Sequence, residues 1–153
     1  MKRLFKWILS LSLVFAFGGC TASDTPPTTS SVPVIEESGS YYSLEDVVRY
    51  LDEYGHLPDN YITKSEARAL GWEGGSVEEY MEGAAIGGDR FGNREGLLPD
   101  GSYKEADIDT DGASSRGAKR LIFSDDGEYY YTPDHYESFT EYIVDENGDV
   151  VPK

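Results

Sequence analysis

The sequence predicts an α+β fold in which N-terminal helices pack on a C-terminal antiparallel β-sheet. Capping-box patterns with helical apolar spacing lie before Gly101, and short β-rich runs separated by turn residues follow it. Helices that precede a run of strands are typical of this class. Aromatic residues make up 13% of the chain, which supplies the large side chains of a core and argues against a disordered chain.

Three helices are predicted in the first half of the domain. Ser43-Leu-Glu-Asp46 has the form of a capping box and begins a helix that ends at Gly55. Thr63-Lys-Ser-Glu66 begins a short second helix that Gly71 closes. Ser76-Val-Glu-Glu79 begins a third helix that ends near Gly83. The apolar residues of the first helix follow at helical spacing: Leu44, Val47, Val48, Leu51 and Tyr54.

Four strands are predicted after Gly101. They are Tyr103–Ile108, Arg120–Phe123, Glu128–Thr132 and Phe139–Val144. Ser124-Asp-Asp-Gly127 is a turn between two of them. The remaining segment contains Asn147-Gly148, a dipeptide typical of hairpin turns, so it is either a short terminal hairpin or a frayed tail.

The first twenty residues have the features of an export signal. A short basic leader precedes an apolar run over residues 7–17 and the small residues of Gly18-Gly19-Cys20. The run is too short for a transmembrane helix. The arrangement resembles the lipobox of bacterial lipoproteins, although Phe17 replaces the usual aliphatic residue. Cys20 is therefore predicted to carry a lipid, and the alternative is an ordinary secretory signal with an incidental Cys.

These patterns divide the chain into four parts. Residues 1–19 are predicted to be a signal peptide of the lipoprotein type, and 20–40 a tether rich in Ser, Thr and Pro. The folded domain is predicted over 41–144, with a C-terminal tail at 145–153. The predicted location is extracellular, either secreted or held at the outer face of the bacterial cell membrane. Contact with the membrane would be made only by the N-terminal lipid.

The net charge of −16, from 13 basic and 29 acidic residues, excludes a uniformly basic nucleic-acid binder. Loss of the signal peptide would leave −19. An anionic substrate must therefore be attracted by a local group of cations. The single Cys excludes an intramolecular disulfide and a Cys-rich zinc site. The two His, His56 and His135, make a multi-histidine metal site improbable, so no metal and no cofactor are predicted.

One strand and the loop after it collect groups that can perform acid–base chemistry. Side chains alternate along a strand, so Glu105 and Asp107 share a face and repel each other unless cations lie nearby. Arg116 and Arg120 follow, and His135 precedes the last strand. A carboxylate, an imidazole and guanidinium groups suit attack on a phosphodiester. Simple pairing of strand carboxylates with arginines explains the same residues, and both interpretations stay open at this point.

Five blocks of sequence occur in a fixed order across the domain. They are residues 57–67 with 69–72, residues 86–96, Glu105-Ala-Asp-Ile108, Asp134-His-Tyr136 and Phe139-Thr140. These blocks resemble the barnase and binase family of bacterial guanyl-preferring ribonucleases, in the family's order and with nearly its spacing over residues 43–143. The resemblance implies the microbial ribonuclease fold and RNA as the substrate.

The resemblance also implies roles for the charged residues. Glu105 matches the general base that takes the proton of the ribose 2′-OH, and His135 matches the acid that protonates the leaving 5′-oxygen. The product would be a 2′,3′-cyclic phosphate, formed without a metal. Asp107 matches a residue that orients the arginines by ion pairing. The residues that match the phosphate-holding positions are Lys64, Arg116 and Arg120.

A loop at residues 91–95 matches the guanine-reading loop of the family. The backbone N–H groups of Asn93 and Arg94 would donate to guanine O6, and Glu95 would accept from guanine N1–H and the N2 amino group. Adenine lacks this pattern. Phe91 begins the loop, and Tyr136 is expected to stack on base or ribose.

Several functions remain as alternatives to a secreted or tethered endoribonuclease that acts on single-stranded RNA after G. One is an interbacterial ribonuclease toxin, for which a barstar-like inhibitor protein would be the partner. Another is a non-catalytic surface lipoprotein that binds a ligand, although it would have no reason to keep all the catalytic groups. A glycosidase with paired carboxylates does not explain the arginines. The expected oligomeric state is a monomer.

Overall fold

The computed structural model describes residues 33–153. The predicted signal peptide, the lipidation site at Cys20 and tether residues 20–32 lie outside the described residues. Within 33–153 the chain forms two helices and seven strands. They are α1 (Leu44–Tyr54), β1 (Tyr61–Ile62), α2 (Lys64–Ala69), β2 (Ala85–Phe91), β3 (Tyr103–Asp107), β4 (Arg120–Ser124), β5 (Tyr129–Thr132), β6 (Thr140–Val144) and β7 (Val150–Pro152).

The seven strands form one sheet in the order of the chain, from β1 to β7. Strand β1 pairs with β2 in parallel, and every other neighbouring pair is antiparallel. Both helices precede the run from β2 to β7. The predicted α+β class, with helices before an antiparallel sheet, is therefore confirmed.

Both capping-box helices begin and end where the sequence predicts. The hydroxyl of Ser43 accepts from the backbone N–H of Asp46, and Gly55 ends α1 in the left-handed conformation, with φ of 74°. Thr63 and Glu66 form the complete reciprocal capping box at the start of α2. Each cap satisfies backbone groups that a helix end leaves without partners.

The third predicted helix is wrong, because the structure has turns over residues 76–83. The hydroxyl of Ser76 accepts from the N–H of Glu78 instead of capping a helix. A single helical hydrogen bond forms, from Met81 N–H to the carbonyl of Val77. Val77 alone reaches the core, while Tyr80 and Met81 are about two-fifths exposed, so a helix here would have no apolar face to bury.

The four predicted strands are present, each with one end shifted by a single residue. Strands β1 and β2 were not predicted. The hairpin alternative for the C-terminal segment is the one found, because β7 pairs with β6 from Val144↔Val150 to Tyr142↔Pro152. The Asn147-Gly148 turn lies between them, with Gly148 at φ of 83°.

Alternation along the strands separates two faces of the sheet. One face packs against α1, where Val47 and Val48 meet Leu121 and Phe123 in the main core. The opposite face carries a smaller cluster built on Tyr103 and the residues beside it. The buried members of that cluster are Leu98, Tyr103, Ile122 and Tyr130, with Phe91, Tyr136 and Phe139 packed around them.

Both ends of the described chain lie against α1. The Tyr54 hydroxyl donates to the carbonyl of Ile35 at 3.0 Å, and the Tyr50 hydroxyl donates to that of Glu37 at 2.8 Å. Arg49 Nε donates to the carbonyl of Gly148 at 2.9 Å. These contacts extend the packed region beyond residues 41–144 at both ends. None of the helices in residues 33–153 has the length and apolar character needed to span a bilayer.

Candidate active site

The register of the central strands places the charged residues on the face opposite α1. Asp107 on β3 lies directly across from Arg120 on β4. Glu105 lies across from Asp89 on β2 and Ile122 on β4. The alternation predicted for Glu105 and Asp107 is therefore present, and the arginine at the start of β4 reaches the same face.

Glu105 is held between a cation and a phenol. The Lys64 ammonium binds its Oε1, and the Tyr136 hydroxyl donates to its Oε2 at 2.7 Å. The residue is 7% exposed. Burial alone would raise the pKa of Glu105, but the hydrogen bonds from Lys64 and Tyr136 and the charges of Lys64 and Arg116 outweigh it and lower the pKa. The carboxylate is therefore ionised and able to accept a proton.

The first residue of α2 reaches Glu105 because the helix start is fixed to β2. The backbone N–H of Lys64 donates to Asp89 Oδ2 at 2.8 Å. Asp89 thus satisfies one of the free N–H groups of the helix N-terminus and sets the position of the lysine. Asp89 lies across from Glu105 in the sheet register. The two acids therefore bind different donors of Lys64, Asp89 its backbone N–H and Glu105 its ammonium.

Asp107 is 1% exposed and binds both arginines. Arg116 donates to it with Nε at 2.7 Å and Nη2 at 2.8 Å, in the bidentate fork typical of arginine and carboxylate. Arg120 Nε lies 3.0 Å from Oδ1 as an ion pair. Burial alone would lower the pKa of Arg116, but the hydrogen bonds and charge of Asp107 and the charge of Glu105 raise it. The orienting role that the sequence predicts for Asp107 fits this geometry.

The two arginines differ in what their guanidinium groups can still bind. The side chain of Arg120 is 3% exposed, and its terminal nitrogens donate to the carbonyls of Lys119 at 2.7 Å, Gly117 at 3.0 Å and Arg116 at 3.2 Å. It therefore holds the 116–119 loop. The side chain of Arg116 is 23% exposed and lies over the ring of Trp72 at 5.8 Å. Arg116 is the arginine of the pair that presents N–H groups to a ligand.

His135 lies in a strained turn next to these groups. His135 and Tyr136 have φ of 58° and 73°, a region that non-glycine residues seldom occupy. The Asp134 carboxylate holds the turn by accepting from Ser138 and Thr132, and these bonds lower the pKa of Asp134 to about 2. The His135 backbone N–H donates to the carbonyl of Ala118 at 3.1 Å. The imidazole is exposed beside the arginine loop.

Tyr136 connects the catalytic groups to the predicted base-binding loop. Its ring stacks on Phe91 at 5.6 Å and 26°, while its hydroxyl binds Glu105. Burial, followed by the hydrogen bond and charge of Glu105, raises the pKa of Tyr136 to about 12, so the phenol remains a donor. The sequence predicts only stacking on base or ribose for this residue. The hydroxyl contact to Glu105 adds a second role.

The 91–95 loop borders an open cleft of about 370 Å³ lined by residues 90–95. The Asn93 amide braces this loop, because its Nδ2 donates to the carbonyl of Leu98 at 2.8 Å and its Oδ1 accepts from the Leu98 N–H at 3.1 Å. Asn93 itself has φ of 33°. Arg94 and Glu95 follow as exposed side chains. The loop thus has a fixed backbone and free side chains.

Metal ligands are not gathered at this site. Across residues 33–153, no group of three or more His, Cys, Asp or Glu side chains is arranged to hold a metal ion. The charged residues are instead joined to one another by hydrogen bonds and ion pairs. Lys64, Glu105 and Tyr136 form one connected group, and Asp107 and its arginines form the next.

Comparison with known proteins identifies the family. A family model described as ribonuclease matches residues 45–143. The chain belongs to the ribonuclease family. A ribonuclease from Bacillus pumilus is 43% identical over 127 residues, which cover 76% of this chain and 78% of the relative.

Two further relatives cover the ribonuclease domain in part. A ribonuclease from Heyndrickxia coagulans is 48% identical over 102 residues, which are 63% of this chain and 93% of the relative. Guanyl-specific ribonuclease St from Saccharopolyspora erythraea is 51% identical over 75 residues, or 47% of this chain and 70% of the relative.

Sequence reasoning missed two residues that position this ribonuclease site, and one contact of a residue that it did name. Asp89 fixes the start of α2, Trp72 lies beneath Arg116, and the hydroxyl of Tyr136 binds Glu105. The capping box at Thr63 could have indicated that α2 needs an acidic partner at its N-terminus. Trp72 is 6% exposed, as is typical of a large aromatic residue in a core. Its contact with an arginine 44 residues away had no sequence signal.

Proposed function

We propose that this ribonuclease is an endoribonuclease that cleaves single-stranded RNA on the 3′ side of guanosine through a 2′,3′-cyclic phosphate. One observation carries the proposal: an ionised Glu105 is held between Lys64 and Tyr136, next to the partly exposed guanidinium of Arg116. A base and an electrophile thus occupy one face of the sheet. The exposed imidazole of His135 adjoins the same loop.

In the proposed first step, Glu105 takes the proton of the ribose 2′-OH. The 2′-oxygen attacks phosphorus as the bond from phosphorus to the 5′-oxygen breaks. Negative charge then develops on the phosphoryl oxygens, where Arg116 and Lys64 stabilise it. Arg120 acts mainly by holding the 116–119 loop. This division of labour follows from the different exposure of the two arginines.

His135 would act as the acid in this step. Its protonated imidazole would give a proton to the departing 5′-oxygen. In the second step the neutral imidazole would take a proton from water, whose oxygen attacks phosphorus as the bond from phosphorus to the 2′-oxygen breaks and Glu105 returns its proton to that oxygen. The exposed position of the ring suits an exchange of protons with a leaving group and with solvent. The acid, the base and the electrophile are all side chains, so the proposed reaction requires no metal.

The 91–95 loop would select guanine. The braced backbone around Asn93 offers N–H donors for O6, and the free carboxylate of Glu95 would accept from N1–H and the N2 amino group. A site built for those hydrogen bonds rejects adenine, because the polar groups that the bound base covers would be left without partners. Phe91 supports the loop by stacking on Tyr136.

Cleavage of a short RNA that contains one GpN step, with EDTA present, tests this function. We expect rapid cleavage at that step and slow cleavage of a matched RNA with ApN. Glu105→Ala should lower kcat/KM by about 10²–10⁴-fold, the range for a general base. Glu141→Gln, on exposed strand β6, is the matched control and should keep full activity. Loss of activity with EDTA, or equal cleavage after A, would reject the assignment.

We further propose that the protein is exported and held by a lipid on Cys20. The basic leader, the apolar run and Gly18-Gly19-Cys20 support this location. Labelling with radioactive palmitate should be lost in Cys20→Ser. A Cys20→Ser protein that is processed and located like wild type would indicate an ordinary signal peptide.

A further inference from the structure

Arg90 lies on β2, one residue before the guanine-loop residue Phe91, and its side chain is exposed. In the sheet register Arg90 faces Lys104, whereas Phe91 faces Tyr103 on the catalytic side. Arg90 therefore projects from the other face of the sheet than Glu105. The 92–96 loop follows the end of β2 and contains a turn in which the Gly96 N–H donates to the carbonyl of Asn93 at 3.1 Å.

Few cations in this domain lack an acidic partner. Residues 33–153 contain ten Lys and Arg against 28 Asp and Glu. Within this part of the chain, seven of the ten form ion pairs within 4.0 Å. The three that do not are Arg68, Arg90 and Arg94. Two of these three line the same cleft at residues 90–95.

The side chain of Arg94 is folded back toward β2. A Cβ atom at Gly92 would lie 3.5 Å from Arg94 Cγ and 3.6 Å from its Nε, so the arginine stem passes over the glycine. Arg90 and Arg94 therefore both border the cleft, on the side away from Glu105. Guanidinium groups without acidic partners attract anions, and a domain with such an excess of carboxylates has few other places for one to bind.

We propose that Arg90, together with Arg94, binds the phosphate on the 5′ side of the guanosine held by the 91–95 loop. This inference rests on the proposed function. The scissile phosphate, on the 3′ side, lies at the Glu105 and Arg116 face. The RNA on the 5′ side of the guanosine would then continue past the loop toward the side where Arg90 stands. The planar fork of arginine suits two phosphate oxygens.

Comparison of substrates with and without this phosphate distinguishes its binding from the cleavage reaction. The dinucleotide GpN lacks a phosphate on the 5′ side of its guanosine, whereas NpGpN has one together with a further nucleoside. Wild type should cleave NpGpN with the higher kcat/KM. Arg90→Ala should lower kcat/KM on NpGpN by about three- to tenfold, as expected for the loss of one exposed charge-assisted contact. The loss should come from a higher KM. A third RNA, pGpN, has the phosphate alone and should respond to Arg90→Ala as NpGpN does. Cleavage of GpN should be unchanged.

Arg68→Ala is the matched control, since Arg68 is an exposed arginine without an ion pair and lies on α2, away from the cleft. It should change neither substrate. Arg90→Ala should also reduce the dependence of log(kcat/KM) on log[salt] for NpGpN by about 0.7, the value for one phosphate of a single strand. Equal loss on both substrates, or no loss on either, would overturn the role of Arg90. If wild type cleaves neither RNA, the proposed function itself is wrong, and this inference is wrong with it.

Discussion

The two faces of strands β3 and β4 perform different tasks with alternate residues of the same segments. On the α1 side, Ala106 and Leu121 are fully buried in an apolar core. On the other side, Glu105 and Asp107 are almost as well buried, yet every one of their carboxylate oxygens has a cationic or phenolic partner. Burial is therefore similar on the two faces. The faces differ because the buried carboxylates have polar partners, whereas the buried apolar side chains are packed in a core. Adjacent residues can be changed to affect stability or chemistry separately.

The largest expected effect is on the catalytic face. His135→Ala should lower kcat/KM by about 10²–10⁴-fold, because the proposed general acid is lost. The exposed imidazole contributes little packing, so stability should change by no more than about 0.5 kcal/mol. Activity on GpN RNA and denaturant unfolding measure the two quantities.

His135→Asn serves as the control for backbone strain at this position. Asn tolerates positive φ but cannot transfer the proton. It should be as inactive as the Ala variant. Near-normal activity of either variant would remove His135 from the mechanism.

On the core face, Leu121→Ala should reverse this pattern. The side chain is completely buried against α1, and its truncation should lower the free energy of unfolding by about 2–5 kcal/mol. Activity per folded molecule should stay within a few-fold of wild type at low temperature. Urea unfolding and active-site titration at the same temperature measure both. A tenfold loss of kcat in fully folded protein would show that the two faces are not independent.

A smaller effect is expected from Tyr136→Phe, which removes the hydroxyl donor to Glu105. Burial favours the neutral acid at this position, and the lost hydrogen bond was one of the groups that lowered the pKa of Glu105. The pKa should therefore rise toward its ordinary value. The acidic limb of the kcat/KM profile should move to higher pH, which a pH series on GpN RNA measures.

The same substitution has a signed effect on stability. A carboxyl whose pKa is depressed on folding adds stability above its unfolded pKa and loses it as pH falls through the folded pKa. Wild type and Tyr136→Phe should thus differ more above the ordinary pKa of Glu than at pH values below the folded pKa. An unshifted acidic limb would mean that Tyr136 does not act on Glu105.

The smallest effect is expected behind the core face. Tyr54→Phe removes the hydrogen bond to the carbonyl of Ile35 and should lower the free energy of unfolding by about 0.5–1.5 kcal/mol. Activity should not change. Protection of the Ile35 region from proteolysis, compared with wild type, measures whether this contact holds the segment. Equal protection would show that other contacts are sufficient.

Local signals predicted the elements that local interactions determine. The capping boxes at Ser43 and Thr63 predict their helices, because a helix start depends on residues three apart. The same pattern at Ser76 does not begin a helix, since Val77 is the only apolar side chain of this segment that reaches the core. A helix needs both the cap and a buried face.

Strand β2 could not be found from alternation because a bulge interrupts it. The register shifts between Gly87 and Asp89, with Gly88 at φ of 92°. Gly87 has no side chain because the Tyr61 ring occupies its place, where a Cβ would lie 2.6 Å from the ring. Both glycines thus weaken the strand pattern because of contacts and a bulge that only the folded sheet shows. Strand β1 has little pattern to detect, because it is only two residues long.

For the site, the resemblance supplied the residues and the strand alternation supplied their common face. Neither could show that Arg116 is more exposed than Arg120, since the exposure of each arginine depends on the path of the 116–119 loop. The contact of Tyr136 with Glu105 also depends on a turn with positive φ, which the sequence Asp134-His-Tyr136 does not predict. Contacts that cross 31 residues have no local signal.

The strictly sequential order of the strands has a consequence for how the chain folds. Each strand from β3 to β7 pairs with the strand that precedes it across a short connection, so the entropy lost at each of these steps is small. The contact between Arg49 and Gly148 is different, because it joins positions 99 residues apart. We therefore expect the sheet to grow from strand to strand, and the meeting of α1 with the C-terminal hairpin to be a late event that joins the two ends of the domain.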